Sequence, residues 1–400
     1  GAFKTGTTYL QQVLRANHDR LAAEGVLFPG GERWQQQVFG VRDLLGSNHR
    51  DAEEPRISGA WGHLVETVRQ WTGPTALVSM EFLSLAGARQ ARRAVRSFAP
   101  AEVRVILTAR DLARVTPAMW QESLKGGSTV PWAEYVAAVR DPDACTRAPA
   151  RGFWNCQDLL AILDVWETAV PREHIQVVTV PPAGASSTVL LERMCTAVGI
   201  DSGKLTLDAP WANESVGSAE AEVLRRLNTR LDNRLSRRQY QRVVKRTVSR
   251  TLAESSPSGR MALPAADRAW AAERGRALAD RLAERGYQVV GDLEDLVPGP
   301  VAPAAEGRTP DDANDPEMLD AAMRALTSVT EELATQWWAR KRPDKALRNR
   351  NLRSRIGSSM RGAQFRSKRS VVRFADRNRV AGRALDVYHR VGRRRRRPRR

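Results

Sequence analysis

Three short apolar runs stand out from the polar background: residues 75–80 (TALVSM), 103–109 (VRVILTA) and 175–180 (IQVVTV). They are rich in aliphatic and β-branched residues and too short for helices, which predicts buried strands. Leu10, Val13, Leu14, Leu21 and Ala22 recur at three- and four-residue spacing and predict a helix that Gly25 ends. Residues 86–98, 157–168 and 188–198 read as further helices. Strands alternating with helices of this length predict an α/β fold with a parallel sheet covered on both faces. Residues 30–72 are polar and rich in Trp and Gly, and predict irregular structure. Residues 218–252 and 265–286 read as helices, and YQVVGDL at 287–293 as a closing strand.

A Pro/Ala/Asp stretch at 298–316 interrupts the pattern and reads as a linker. The predicted organisation is therefore a domain over 1–297, the linker, and a C-terminal part over 317–400. In that last part Leu319, Met323, Leu326, Val329, Leu333 and Trp337 form one apolar stripe on a helix. Val371, Val372, Phe374, Leu385, Tyr388 and Val391 give 370–391 an apolar face among arginines.

Charge changes this picture only at the C-terminus. The chain carries +19 overall, but residues 337–400 hold 24 basic and three acidic residues, a net of +21. That leaves 40 basic against 42 acidic residues in 1–336. The body is thus near neutral, which excludes a domain that coats nucleic acid through general basicity. Several readings fit the tail: an anionic membrane surface, non-specific nucleic acid, retention of an acidic glycan, or a solvated extension. Trp337-Trp338 ahead of the cationic run favours the membrane surface, and no specific nucleic acid is expected. Vesicle binding that needs anionic lipid and is lost on deleting 337–400 separates these readings. No run approaches the roughly 20 apolar residues that cross a bilayer. Cys145, Cys156 and Cys195 lack metal-ligand spacing and suit a reducing, cytoplasmic compartment, peripheral at the inner membrane face if the tail binds there.

The sharpest chemical signal is the opening loop. Lys4-Thr5-Gly6-Thr7-Thr8 places a cation, a glycine and three hydroxyls directly before a helix N-terminus, where unpaired N–H groups and the helix dipole favour an anion. Only seven of the 64 basic residues are lysine, and Lys4 is the sole lysine before Lys125. A compact ammonium can follow a transferring group, whereas a guanidinium suits fixed bidentate pairing. The order disfavours an ATP-type P-loop, because here the lysine precedes the glycine.

Lys4-Thr5-Gly6-Thr7-Thr8 resembles the 5′-phosphosulfate-binding loop of bacterial sulfotransferases that use 3′-phosphoadenosine 5′-phosphosulfate (PAPS), relatives of the P-loop nucleotide kinases. The resemblance extends to about residue 298. It takes in residues 17–30, WNCQDLL at 154–160, NESVGSAEAEVLRRLN from Asn213, and GYQVVGDLEDL. It implies a P-loop-kinase-like three-layer fold with a central parallel sheet. In that fold a buried strand precedes the loop; this chain opens at the loop, so the first, central strand is expected to be missing from it.

The resemblance also assigns roles. Lys4, Thr5, Gly6, Thr7 and Thr8 would hold the phosphosulfate, with Lys4 neutralising charge on the bridging oxygen. Arg110, at the end of strand 103–109, would bind the 3′-phosphate. The family's serine eight residues later is Ala118 here, and Thr116 is the nearest hydroxyl. Tyr9 would pack the adenine, or equally the core. Sulfotransferases use His or Glu as general base. None of the five histidines directly follows a strand, whereas Glu81 follows 75–80, where parallel sheets gather ligands. Met80, Phe82 and Leu83 would partly desolvate it.

The expected activity is sulfuryl transfer from PAPS to a hydroxyl or amine of a glycan or small metabolite, with no metal required. Trp34, Trp61, Trp71 and Trp154 could line the acceptor pocket. The alternatives are a non-catalytic member of the fold acting through its basic tail, and a nucleotide-dependent kinase.

Overall fold

The computed structural model describes residues 1–31, 34–46, 55–144, 146–207, 216–254, 259, 261–299 and 308–341. Helix α1 (Thr7–Ala16) follows the opening loop and buries Leu10, Val13 and Leu14 at the predicted spacing. Helix α2 (His18–Ala23) leads into β1 (Val26–Leu27). The stretch expected to be irregular instead holds helices α3 (Gln35–Leu44) and α4 (Ala60–Arg69), which pack on each other. Val41 and Leu44 on one, Trp61 and Leu64 on the other, form the buried contact faces. The surrounding Gly, Gln and Asp residues dilute this helical period in the sequence.

Strand β2 (Thr75–Ala76) is shorter than the apolar run that contains it. Then come α5 (Ala88–Ser97), β3 (Val105–Ala109), α6 (Leu112–Lys125), α7 (Trp132–Arg140), α8 (Ala150–Gln157) and α9 (Leu159–Glu167). Strand β4 (Ile175–Thr179) and helix α10 (Ser187–Val198) follow. Side chains of Asp111, Asp158 and Ser186 cap α6, α9 and α10, which fixes where those helices start. The helix read over 218–252 is broken. Helix α11 (Ser218–Leu231) ends at Asp232 and Asn233, both with positive φ, a conformation Asp and Asn tolerate. The chain resumes as α12 (Arg237–Tyr240), a π-helical segment Gln241–Val248, and α13 (Ser249–Glu254). Helix α14 (Ala265–Glu284), β5 (Gln288–Val290) and α15 (Asp315–Lys341) complete the described elements.

Among the described residues all paired strands are parallel, in two sheets: β1-β2 and β3-β4-β5. Side chains alternate across β4. Val177 joins a core with α4, α5 and α9, and Val178 joins one with α1 and α10, so helices cover both faces. A third core is helical, built from α6, α7, α11, α14 and the π-helical segment around fully buried Trp120.

A slot separates the two sheets. It has a volume of about 940 Å³ and is lined by residues 75–80 on one side and 103–108 on the other. Leu10 and Met194 close it from one layer of helices, Trp61 and Ile162 from the other. Strand β4, flanked on both edges, buries Ile175, Val177 and Val178 completely. Leu77, Val78, Val105 and Ile106 beside the slot stay only partly buried although they are as apolar. Ala2 N–H donates to the Thr108 carbonyl at 3.1 Å, so the opening residues lie at the mouth of the slot, beside the C-terminal end of β3.

The chain divides into two compact units, Gly1–Val329 and Thr330–Arg400. Part of the predicted linker is folded: Arg308 pairs with Glu317, Met261 bridges to Arg308, and Pro310 is buried. Along α15, Met318, Ala321 and Ala325 are buried, whereas Leu319, Met323, Leu326, Leu333 and Trp337 of the predicted stripe are exposed. The apolar face read over 370–391 and the polybasic end lie outside the described residues. No helix among the described residues is long and apolar enough to cross a membrane.

Candidate functional site

The opening loop is held from inside. The Thr5 hydroxyl donates to the Ala2 carbonyl at 2.7 Å and therefore accepts from the Thr108 hydroxyl, 2.6 Å away. Thr5 is fully buried, so this hydroxyl shapes the loop and is not free for a ligand. Lys4 adopts φ 62°, a left-handed conformation that costs a non-glycine residue about 1–2 kcal/mol. Gly6 has φ 80°, and a Cβ there would sit 2.6 Å from the Leu190 Cδ2. Gly6 also occupies the N-cap of α1, where it supplies no capping side chain. The first N–H groups of the helix, at Thr7 and the exposed Thr8, therefore remain for an anion.

Charged side chains from remote elements meet at this loop. Lys4 Nζ lies 2.7 Å from one oxygen of Glu122 in the last turns of α6. Lys245 Nζ, from the π-helical segment, lies 3.0 Å from the other. Burial acts to raise the Glu122 carboxyl, but the two lysine charges and their hydrogen bonds outweigh it and hold it down at about 2. Arg110 donates from Nη1 to the Lys4 carbonyl at 3.1 Å, bracing the left-handed residue. Its Nε is buried without a hydrogen-bond partner, a donor that suits an anionic ligand. Burial and the neighbouring Arg114 charge, opposed by Asp111, bring Arg110 down to about 10, so it remains cationic at neutral pH. Arg114 is engaged elsewhere, pairing with Asp111 and donating to the Pro181 carbonyl at 2.8 Å.

Glu81 opens a short 3₁₀ turn, Glu81–Leu85, and is half-buried beside buried Met80. The Phe82 ring packs on Phe3 with centroids 5.6 Å apart, which holds this turn against the loop. Gln11 of α1 donates to the Ser79 carbonyl at 3.1 Å and fixes the same corner. Burial drives the Gly1 amino group down to about 6, while the Glu81 charge acts the other way, placing Glu81 within electrostatic reach of the loop. Arg110 thus touches the Lys4 carbonyl and the Glu81 charge acts on Gly1, while Glu81 and Lys4 form no ion pair.

Other predicted residues are committed to structure. The Thr116 hydroxyl donates to the Leu112 carbonyl within α6 at 2.7 Å, so it does not replace the hydroxyl that Ala118 lacks. Tyr9 packs against the core shared by α1 and α10. The indole N–H groups of Trp61 and Trp154 donate to the Ser97 hydroxyl and the Val139 carbonyl, inside the body. Burial pushes the Cys156 and Cys195 thiols up to about 11, which leaves them protonated at neutral pH. Glu122 and Lys245 are site residues that sequence reasoning missed. The scarcity of lysine that singled out Lys4 could also have pointed to Lys245.

The clamped carboxyl has a consequence in acid. Unfolding returns Glu122 towards its ordinary value of 4.5, so between pH 4.5 and about 2 the unfolded chain binds more protons than the folded one. Stability therefore falls as pH drops through that window. Glu122→Gln is expected to flatten this part of the acid limb when melting temperature is followed from pH 5 to 2. An unchanged limb would show that the carboxyl is not clamped.

Among the described residues no group of three or more His, Cys, Asp and Glu is placed to hold a metal ion. Comparison with protein-family models, curated proteins and solved structures returns no match.

Proposed function

We propose that this chain is a PAPS-dependent sulfotransferase on a P-loop-kinase-like scaffold. The observation that carries the reading is the loop of Lys4–Thr8: two left-handed residues, an uncapped helix N-terminus, and the Lys4 ammonium, with Arg110 reaching in from the end of β3 to the Lys4 carbonyl. The unpartnered Arg110 Nε fits an anionic donor of this kind. Glu81 takes the proton of an acceptor hydroxyl as its oxygen attacks sulfur. The bond between sulfur and the bridging oxygen breaks, and Lys4 neutralises the charge left on that oxygen. The products are a sulfate ester and adenosine 3′,5′-bisphosphate.

A second reading, a non-catalytic member of the fold, is favoured by one set of observations. Arg110 is turned onto the Lys4 carbonyl, Thr5 onto Thr108, and Ala118 carries no hydroxyl. Calorimetry with adenosine 3′,5′-bisphosphate and with ATP decides between them. Binding of the bisphosphate and not of ATP supports the sulfotransferase; binding of neither, or of ATP alone, refutes it.

A further inference from the structure

We propose that Glu122 is an internal anion occupying a two-lysine site, and that a phosphate- or sulfate-bearing ligand displaces it from Lys4 and Lys245. Lys245 is then a second cation of the loop's anion site. Both carboxylate oxygens are used, one by each lysine, at 2.7 and 3.0 Å. The two ammonium groups come from segments far apart in sequence, the opening loop and residues 241–248. A carboxylate between two ammonium groups presents oxygens where phosphate or sulfate oxygens would lie.

Accessibility supports exchange. The side chains of Lys4, Glu122 and Lys245 are 31, 32 and 38 % exposed, so an anion from solvent can reach the pair. Lysine usage points the same way, since an arginine-writing chain has lysine at both positions. The π-helical turn that carries Lys245 is itself an uncommon geometry, often found at functional sites. Buried Val244 and Val248 anchor that turn in the helical core.

The extension to PAPS rests on the sulfotransferase reading; the two-lysine site does not. Calorimetry on the full chain with inorganic pyrophosphate tests the site itself, and adenosine 3′,5′-bisphosphate tests the extension. Removing the competing charge by Glu122→Gln is expected to tighten pyrophosphate binding by roughly tenfold. Adding Lys245→Met to that variant should remove most of the gain, and Lys245→Arg should keep part of it. If Glu122 merely positions Lys4, Glu122→Gln weakens binding instead, so the sign separates the two roles. Unchanged, weaker or absent pyrophosphate binding in Glu122→Gln overturns the proposal. Should that variant fail to melt cooperatively, Glu122→Asp, which retracts the carboxylate, carries the same expectation and the same refutation. A pyrophosphate gain without any bisphosphate binding supports the site and rejects the PAPS reading. Bisphosphate binding unaffected by Glu122 and Lys245 substitutions rejects the site and leaves that reading standing.

Discussion

Lys4→Ala is expected to lower sulfuryl transfer by roughly 10²–10³-fold, the usual loss when one charge-stabilising group is removed from a transition state. The readout is release of adenosine 3′,5′-bisphosphate from radiolabelled PAPS across a panel of hydroxyl acceptors. Arg110 donates to the Lys4 carbonyl and Lys245 pairs with the second Glu122 oxygen, so each reaches the loop from its own element and the Lys4 ammonium is the cation carried by the loop itself. The fold should survive, because the Lys4 side chain is about one-third exposed and its ion pair contributes at most about 1 kcal/mol. Alanine meets the same left-handed φ as lysine, so the backbone penalty does not change. A small shift in melting temperature with a large loss of turnover therefore isolates the chemistry. Full activity in the variant would remove the loop mechanism.

An apolar strand of about six residues joined ahead of Gly1 is expected to raise the melting temperature by roughly 10 °C, the equivalent of several kcal/mol. The slot between residues 75–80 and 103–108 supplies the reason. Both of its edges carry backbone groups that β2 and β3 do not satisfy on each other, since the two sheets are not hydrogen-bonded together. Leu77, Val78, Val105 and Ile106 lie only partly buried along it, and each fully buried aliphatic side chain is worth about 1.5–3 kcal/mol. The bond from Ala2 to Thr108 places the end of the added strand, where it joins Gly1, at the C-terminal end of β3. A proline in the middle of the added strand should cancel most of the gain, because it cannot donate to the ladder. Slower amide exchange at Val78 and Ile106 would locate the new pairing. Equal melting of the extended and unextended proteins would show that the slot does not take a strand.

The legibility of the fold varied with the range of the interaction. The runs at 103–109 and 175–180 were readable because a buried parallel strand must be apolar on both faces. The loop was readable because its residues are consecutive. Helices α3 and α4 were missed although Val41, Leu44, Trp61 and Leu64 carry a helical period, since the polar residues between them hid two short helices that are stabilised by tertiary packing. The buried edge of α15 was missed for a related reason. Met318, Ala321 and Ala325 are covered while Leu319 and Met323 are exposed, and apolarity alone does not say which face of a helix will be covered.

From the order of its residues the chain settles where strands and helices alternate, where a Lys-Thr-Gly-Thr-Thr loop meets a helix, and that the excess charge is confined to residues 337–400. Those features depend on neighbours within a turn or a strand. Only the folded chain decides that the Thr5 hydroxyl faces inward, that Arg110 braces Lys4, and that Glu122 lies between two lysines 118 and 123 residues away. Such meetings follow from how whole elements pack, and packing is set by the shapes of remote surfaces rather than by local spacing.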